Sequence, residues 1–236
     1  MRTEARMRGS PKLSQAIRVL RRLLGRVGRE DAISYPWHGR VSVFHLLLAE
    51  FYLRRTTRKV VARVFPLLRR AYPTASRLAL GNPAAVWRLT RPTGLRNRSY
   101  ELIRLARAIV SRGRIGSDHD EIESLPSVGP YIADAILLYG LGHCHFPLDE
   151  NVRRVLVRAT RGSDPKANPR PYQDMSLVST VRRLILGLPA ESVKNVHRGI
   201  LHVGWKYCRA DPLCPECPLL STCEYSRARP RRQRDK

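Results

Sequence analysis

Three groups of residues in this chain have the types and spacing to do chemistry. The first is the pair LPSVGPYIADAI and LDENVRRVL, in which a tight turn, Leu125-Pro126-Ser127-Val128-Gly129-Pro130, opens one helix and Asp149 opens the next. Pro130 suits a first helical position, and Gly129 permits an unusual backbone angle just before it. The unpaired amides and partial positive charge of that helix end favour an anion such as a phosphodiester. Read alone, the turn fits an ordinary loop-to-helix junction equally well. Asp149 alone reads first as a helix N-cap.

The second group is Glu50, the sole acid in the apolar segment 41–52. A buried carboxylate is costly unless it is paired, protonated or put to use. The plain alternative is a helix-end Glu paired with Arg54 or Arg55. The third group is Cys208, Cys214, Cys217 and Cys223, spaced C-x5-C-x2-C-x5-C and stiffened by Pro212, Pro215 and Pro218. Four thiolates this close form a soft, preorganised site for zinc or an iron–sulfur cluster, and the chemistry alone slightly favours zinc. Cys144 reads as a buried thiol, and the string His143-Cys144-His145 lacks a ligand spacing.

Helices must position these groups. Leu13, Ala16, Ile17, Leu20, Leu23, Leu24 and Val27 recur at helical spacing opposite an Arg face. An Arg-rich amphipathic start can mimic a transit peptide; a structural helix is the preferred reading, because Ile33-Ser34-Tyr35-Pro36-Trp37 follows directly. Further helices are expected over 41–52, over 58–72 with a kink at Pro66, over 83–89, and over 100–110 with Gly113 as C-cap. Another starts at Ser117 or Asp120 and ends at the turn, and the rest cover 131–141, 150–160, 174–187 and 191–203. Residues 161–171 form a Pro-rich loop, and 226–236 a basic, disordered tail. No alternating pattern of β type survives and no repeat is found, so the fold is all-α.

The 236 residues suffice for one or two small domains. With 44 Lys+Arg against 19 Asp+Glu the formal charge is +25, which suits a polyanion, nucleic acid ahead of an anionic membrane. A GC-rich genome choosing Arg for solvated faces explains part of that excess. No apolar run approaches the roughly 18 residues of a membrane helix. The clustered cysteines differ from a secreted disulfide framework. A soluble, cytoplasmic, nucleoid-associated monomer is expected.

Taken together, LPSVGPYIADAI and LDENVRRVL resemble the helix-hairpin-helix DNA glycosylases of the endonuclease III superfamily, in which LPGVG-x-x-x-A precedes V/L-D-x-N-V/F-x-R-V. The likeness spans roughly residues 13–225, with ISYPW similar to the family's FPW lead-in and HLLLAEFYLRRTT to its I/V-x-E-x-L-L-R-R-T-T. Arg54-Arg55-Thr56-Thr57 and Tyr131 resemble the MIG-type thymine/uracil mismatch glycosylases, where adenine-removing MutY-type enzymes usually carry M-L-Q-Q-T. The resemblance implies two helical domains. A six-helix domain over 41–145 holds the hairpin at 123–142, and a second domain, from 12–40 and 146–225, holds a [4Fe–4S] cluster loop. The family's cluster sits on C-x6-C-x2-C-x5-C, so on resemblance the cluster replaces zinc as the expected cofactor.

The implied partner is double-stranded DNA with a mismatched or damaged base, most simply thymine or uracil opposite guanine. The next reading is an adenine or damaged-base glycosylase; outside that class stands a noncatalytic DNA-binding module with a four-cysteine metal site. In the first reading Asp149 supports glycosidic bond cleavage, Glu50 contacts the base and Asn151 positions Asp149 or backbone. Tyr131 stands where bifunctional members carry a Schiff-base Lys, which implies a monofunctional enzyme. Leu125, Pro126, Ser127, Val128 and Gly129 meet DNA together with Arg54, Arg55 and Thr56. The short stretch after the cysteines implies none of the C-terminal domain of MutY-type enzymes. Departures from the family are Ser127 for Gly, His38 for Arg, Glu150 for Gly or Ala, and a first cysteine spacing one residue shorter.

Overall fold

The computed structural model describes residues 11–30, 36–37, 41–166 and 168–228, with the side chains of 11–16 left aside. His38, residues 31–35 and the tail from 229 onward lie outside that set. The described residues form helices α1 (Pro11–Glu30), α2 (Val43–Leu53), α3 (Arg58–Ala71), α4 (Ala75–Ala79), α5 (Pro83–Thr90), α6 (Arg98–Arg112) and α7 (His119–Glu123). After these come α8 (Pro130–Ala135), α9 (Glu150–Arg161), α10 (Met175–Ile185), α11 (Ala190–Lys206) and α12 (Glu224–Ala228). There is no strand among them. The chain divides into two compact units, one made of residues 33–147 and the other of 1–32 with 148–236.

In the unit 33–147, α2 is apolar nearly all round and buried from Phe44 to Tyr52, as a central helix must be. It packs against α3, α8 and the π-helical turn Ile136–Leu141 that continues α8. Phe51, Tyr52, Phe65, Leu102, Leu105 and Ile122 fill the core. Side-chain caps start the helices: Ser42 accepts from the His45 amide, Thr57 from Val60 and Thr74 from Arg77. Pro66 lies inside α3 without ending it, its ring exposed. Gly113 is the left-handed C-cap of α6, as its position predicts (φ 72°). Asp118, rather than Ser117 or Asp120, caps α7, accepting from the Glu121 amide at 2.9 Å.

In the other unit α1 lies against α10 and α11. The α1–α11 crossing is close enough to require glycine. A Cβ on Gly28 would stand 1.8 Å from the Asn195 carbonyl oxygen, and one on Gly199 would stand 1.9 Å from that of Leu24. Arg21 closes the end of α10 by donating to the carbonyls of Leu184 (2.6 Å) and Arg183 (2.7 Å). The stretch expected to be helical over 174–187 stops at Ile185. Residues 224–228, counted mostly with a disordered tail, are helical. Cys144 is exposed, not buried: it follows the left-handed Gly142 in a turn that has already left the core.

Candidate functional site

The hairpin is held from below by Leu125 and Val128, both buried. The amide of Leu125 donates to the Ile122 carbonyl, and that of Val128 to Leu125. Between them Ser127 sits in the left-handed region at φ 61°. This explains the glycine usual at that place in the family: the turn demands a positive φ. Gly129, expected to take the unusual angle, is instead ordinary extended backbone at φ −122°, ψ 178°. It is the N-cap of α8 with no side-chain cap bond, and a Cβ there would meet nothing within 4 Å. The backbone at Gly129 is therefore open on its Cβ side.

Arg54, expected at DNA, donates through Nη1 to the Ser127 carbonyl oxygen at 2.5 Å. The bond ties the end of α2 to the turn, and the side chain stays exposed. Arg55 beside it is exposed and Thr56 half-buried. One turn earlier Glu50 is buried in α2, at 6% exposure. The end of α2 is tied by buried Arg98, which donates to the Phe51 carbonyl and stacks over the Phe51 ring at 5.0 Å. Tyr131, in the first turn of α8, is half-buried against the core.

One cluster escaped the sequence reading. Asp134, buried on α8, lies 2.8 Å from His145 Nδ1 and 3.6 Å from His119 Nε2, with the two imidazoles stacked at 6.0 Å. Its only sequence signal is an acid interrupting an apolar run.

Asp149 caps α9. Its Oδ1 accepts from the Val152 amide at 2.7 Å and its Oδ2 from Asn151 Nδ2 at 2.9 Å. Burial raises its pKa above the ordinary carboxylate value, against the pull of the Val152 amide, Asn151 and the Arg154 charge. Asn151 is in turn held through its Oδ1 by Arg154 Nη2 at 2.8 Å. The neighbouring acid, Glu150, is paired with Arg153 at 2.8 Å, so its charge is met within its own helix turn. Arg153 also donates to the carbonyls of Lys166 and Pro169, both at 2.7 Å, and the Leu148 amide donates to Tyr172 Oη at 3.1 Å. The Pro-rich loop is thereby strapped to the start of α9.

The same helix reaches the cysteines. Cys208, Cys214, Cys217 and Cys223 line one cavity with Arg158, Tyr207 and Tyr225. Burial, reinforced by the neighbouring thiols, pushes Cys217 up to about 12 and raises Cys223 as well. Such a set of thiols ionises readily only around a cationic centre. Among the described residues no three His, Cys, Asp or Glu side chains are drawn together in the geometry of a bound metal ion. The shortened first loop is closed by the Leu213 amide on the Tyr207 carbonyl at 2.9 Å. Arg154 Nε grips the Cys208 carbonyl at 2.6 Å, while Arg158 reaches Cys208 Sγ at 3.5 Å and the Arg209 carbonyl at 2.6 Å. Cys208 thus stays on the cavity wall despite the missing residue.

No family model matches the chain. It is 37% identical to a thymine-DNA glycosylase of Aeropyrum pernix over 80% of this chain and 86% of that protein. It is 33% identical to a thymine/uracil-DNA glycosylase of Pyrobaculum aerophilum over 83% of this chain and 86% of that one. Its fold matches the structure of a thermostable thymine-DNA glycosylase with a TM-score of 0.78 at 21% identity, over 90% of this chain and 97% of that one.

Proposed function

The chain belongs to the helix-hairpin-helix DNA glycosylases of the endonuclease III superfamily, in the group of the thymine-DNA glycosylases, and from that premise we propose that it excises thymine or uracil opposite guanine in duplex DNA. It is a hydrolase of N-glycosyl bonds. A base within a duplex hides that bond, so the nucleotide is extruded before cleavage. Departure of the base leaves positive charge on the sugar. Asp149, ionised, stabilises that charge and orients or deprotonates the attacking water. Asn151 positions Asp149, and Glu50 contacts the base.

The observation that carries this reading is the Asp149 carboxylate. It is fixed through both oxygens, by the Val152 amide and by Asn151, and burial raises its proton affinity above that of an ordinary carboxylate. Capping its own helix does not exhaust it, because each carboxylate oxygen can accept more than one hydrogen bond. The amides of Gly129, Tyr131 and Ile132 take a phosphate, with Leu125, Pro126, Ser127 and Val128 shaping the turn and Arg55 and Thr56 adding contacts. Arg54 serves DNA through the Ser127 carbonyl it holds. Tyr131 has no amine for a Schiff base, so an abasic site is left intact.

Cys208, Cys214, Cys217 and Cys223 would hold a [4Fe–4S] cluster, favoured over zinc by the resemblance. Its contribution is to fix the loop they share. Iron and sulfide analysis with a broad visible absorption supports the cluster; a colourless protein with stoichiometric zinc refutes it.

The test of function is a panel of G·T, G·U and A·8-oxoguanine duplexes, with and without alkali. Base release from the first two, with strand scission only after alkali, is the expected result. Release confined to adenine would overturn the base assignment, and scission without alkali would overturn the reading of Tyr131.

A further inference from the structure

Between Glu50 and Glu101 the chain carries twelve arginines and lysines and no Asp or Glu. At the chain's own proportion of 19 acids in 236 residues, fifty residues would hold about four. The acid-free stretch folds into α3, α4 and α5, within the unit 33–147. Its charges are arranged, not scattered. On α3 the buried residues are Val61, Val64, Phe65 and Leu68. Lys59, Arg63 and Arg70 are exposed on the opposite face at i, i+4 and i+11, with exposed Arg69 beside them. At 1.5 Å per residue this stripe is about 16 Å long.

The arginines of α9 are engaged within the fold, Arg153 with Glu150 and Arg158 with Asp164. On α3, Lys59, Arg63, Arg69 and Arg70 face solvent, in a stretch that itself carries no acid. At its C-terminal end the stripe borders a shallow cavity lined by Pro36, Phe65, Pro66, Arg69 and Arg70, an apolar floor with two cations at its edge. The face belongs to a different helix from the one the hairpin opens: α3 and α8 each pack against α2.

We propose that the exposed α3 face, Lys59, Arg63, Arg69 and Arg70, is a second nucleic-acid contact surface that takes duplex phosphates beyond the stretch held at the hairpin. Duplex DNA presents one negative charge per ~1.7 Å of axis, so a stripe of this length meets several phosphates at once. The contact is independent of base sequence, because the stripe offers point charges and forks to phosphate and nothing arranged to read a base edge. Its function is to keep the enzyme on undamaged DNA while it moves between sites. The inference rests on duplex DNA being the ligand of this chain.

The test compares K59Q/R63Q/R69Q/R70Q with an equal-charge control, R18Q/R22Q/R29Q/R182Q, whose residues are exposed on α1 and α10. For a long undamaged duplex the slope of log affinity against log salt is expected to become shallower by about 3 to 4 in the α3 variant, at ~0.9 per phosphate released. The control should change it by a clearly smaller amount. Thermal midpoints identify any variant that fails to fold, and single Gln substitutions then replace it, each expected to lower the slope by about 0.9. Single-turnover base release from a short mismatch duplex, at saturating enzyme, should be unchanged in the α3 variant. That arm reads the glycosylase assignment separately: no release by the wild type would refute the function without touching the salt slope. An unaltered slope, or an equal change in the control, would overturn the proposal. So would loss of binding to anionic vesicles with duplex binding intact, which would give the stripe to a membrane surface.

Discussion

Ser127 carries a positive φ that its side chain makes unfavourable, and the Arg54 bond to its carbonyl holds the turn in place. Ser127→Gly is expected to raise unfolding free energy by about 1 kcal/mol, read as a higher urea midpoint at constant slope. An unchanged or lower midpoint would mean that the hydroxyl contributes more than the strain removes. Asp149 gives a prediction with a definite sign. Its folded pKa is raised by burial, so the folded state binds this proton more tightly than the unfolded chain does. The stability it contributes is present below the ordinary carboxylate value and lost as pH rises through the raised one. At neutral pH the ionised group is therefore a liability, and Asn caps a helix as well as Asp. Asp149→Asn should abolish base release while leaving the melting temperature at pH 7 equal or higher and duplex binding intact. In the wild type, single-turnover release should rise with pH through an apparent pKa above the ordinary Asp range. A profile flat across that range would remove Asp149 as the titrating group.

At the scale of the element, α9 joins the parts. Asp149 is its cap, and Arg154 on its next turn bonds Asn151, the Gly204 carbonyl (3.0 Å) and the Cys208 carbonyl together. Arg154→Ala leaves Asn151 free to swing and unties the first cysteine. Since a misplacement of about 1 Å can cost on the order of a hundred-fold in rate, base release should fall ten- to a hundred-fold with duplex affinity little changed. Equal release in the mutant would show that the Val152 amide alone suffices to aim the carboxylate. This network also marks where sequence reading stopped. The hairpin, Asp149 with Asn151, and the cysteine loop were legible because each is a short string whose geometry is set within a few residues. The guanidinium bonds of Arg54, Arg153, Arg154 and Arg158 were not. Their acceptors are mostly backbone carbonyls up to 73 residues away, and a carbonyl leaves no trace in the sequence. The glycine crossing of α1 and α11 was hidden for the same reason, since closeness is a property of the pair. Cys144 misled because hydrophobic habit says nothing about a turn that leaves the core.

For the whole molecule, the division into units has a consequence for folding and for chemistry. Residues 33–147 form one unbroken stretch, whereas the other unit needs α1 from one end of the chain to complete α10 and α11 at the other. A buried cluster running from Trp37 to Leu137 lies wholly inside the unbroken stretch. A segment of that size falls in the common range for an autonomous domain, about 100–150 residues. Expressed alone, 33–147 is expected to be helical, to unfold cooperatively and to bind duplex DNA in a salt-dependent way through the hairpin. It lacks Asp149 and all four clustered cysteines, so it should be colourless and release no base from a G·T duplex. Circular dichroism melts, DNA binding and the duplex assay check these points in turn. A melt without cooperativity would show that the core leans on the other unit. Base release by the fragment would move the chemistry to Glu50, the one acid buried in α2.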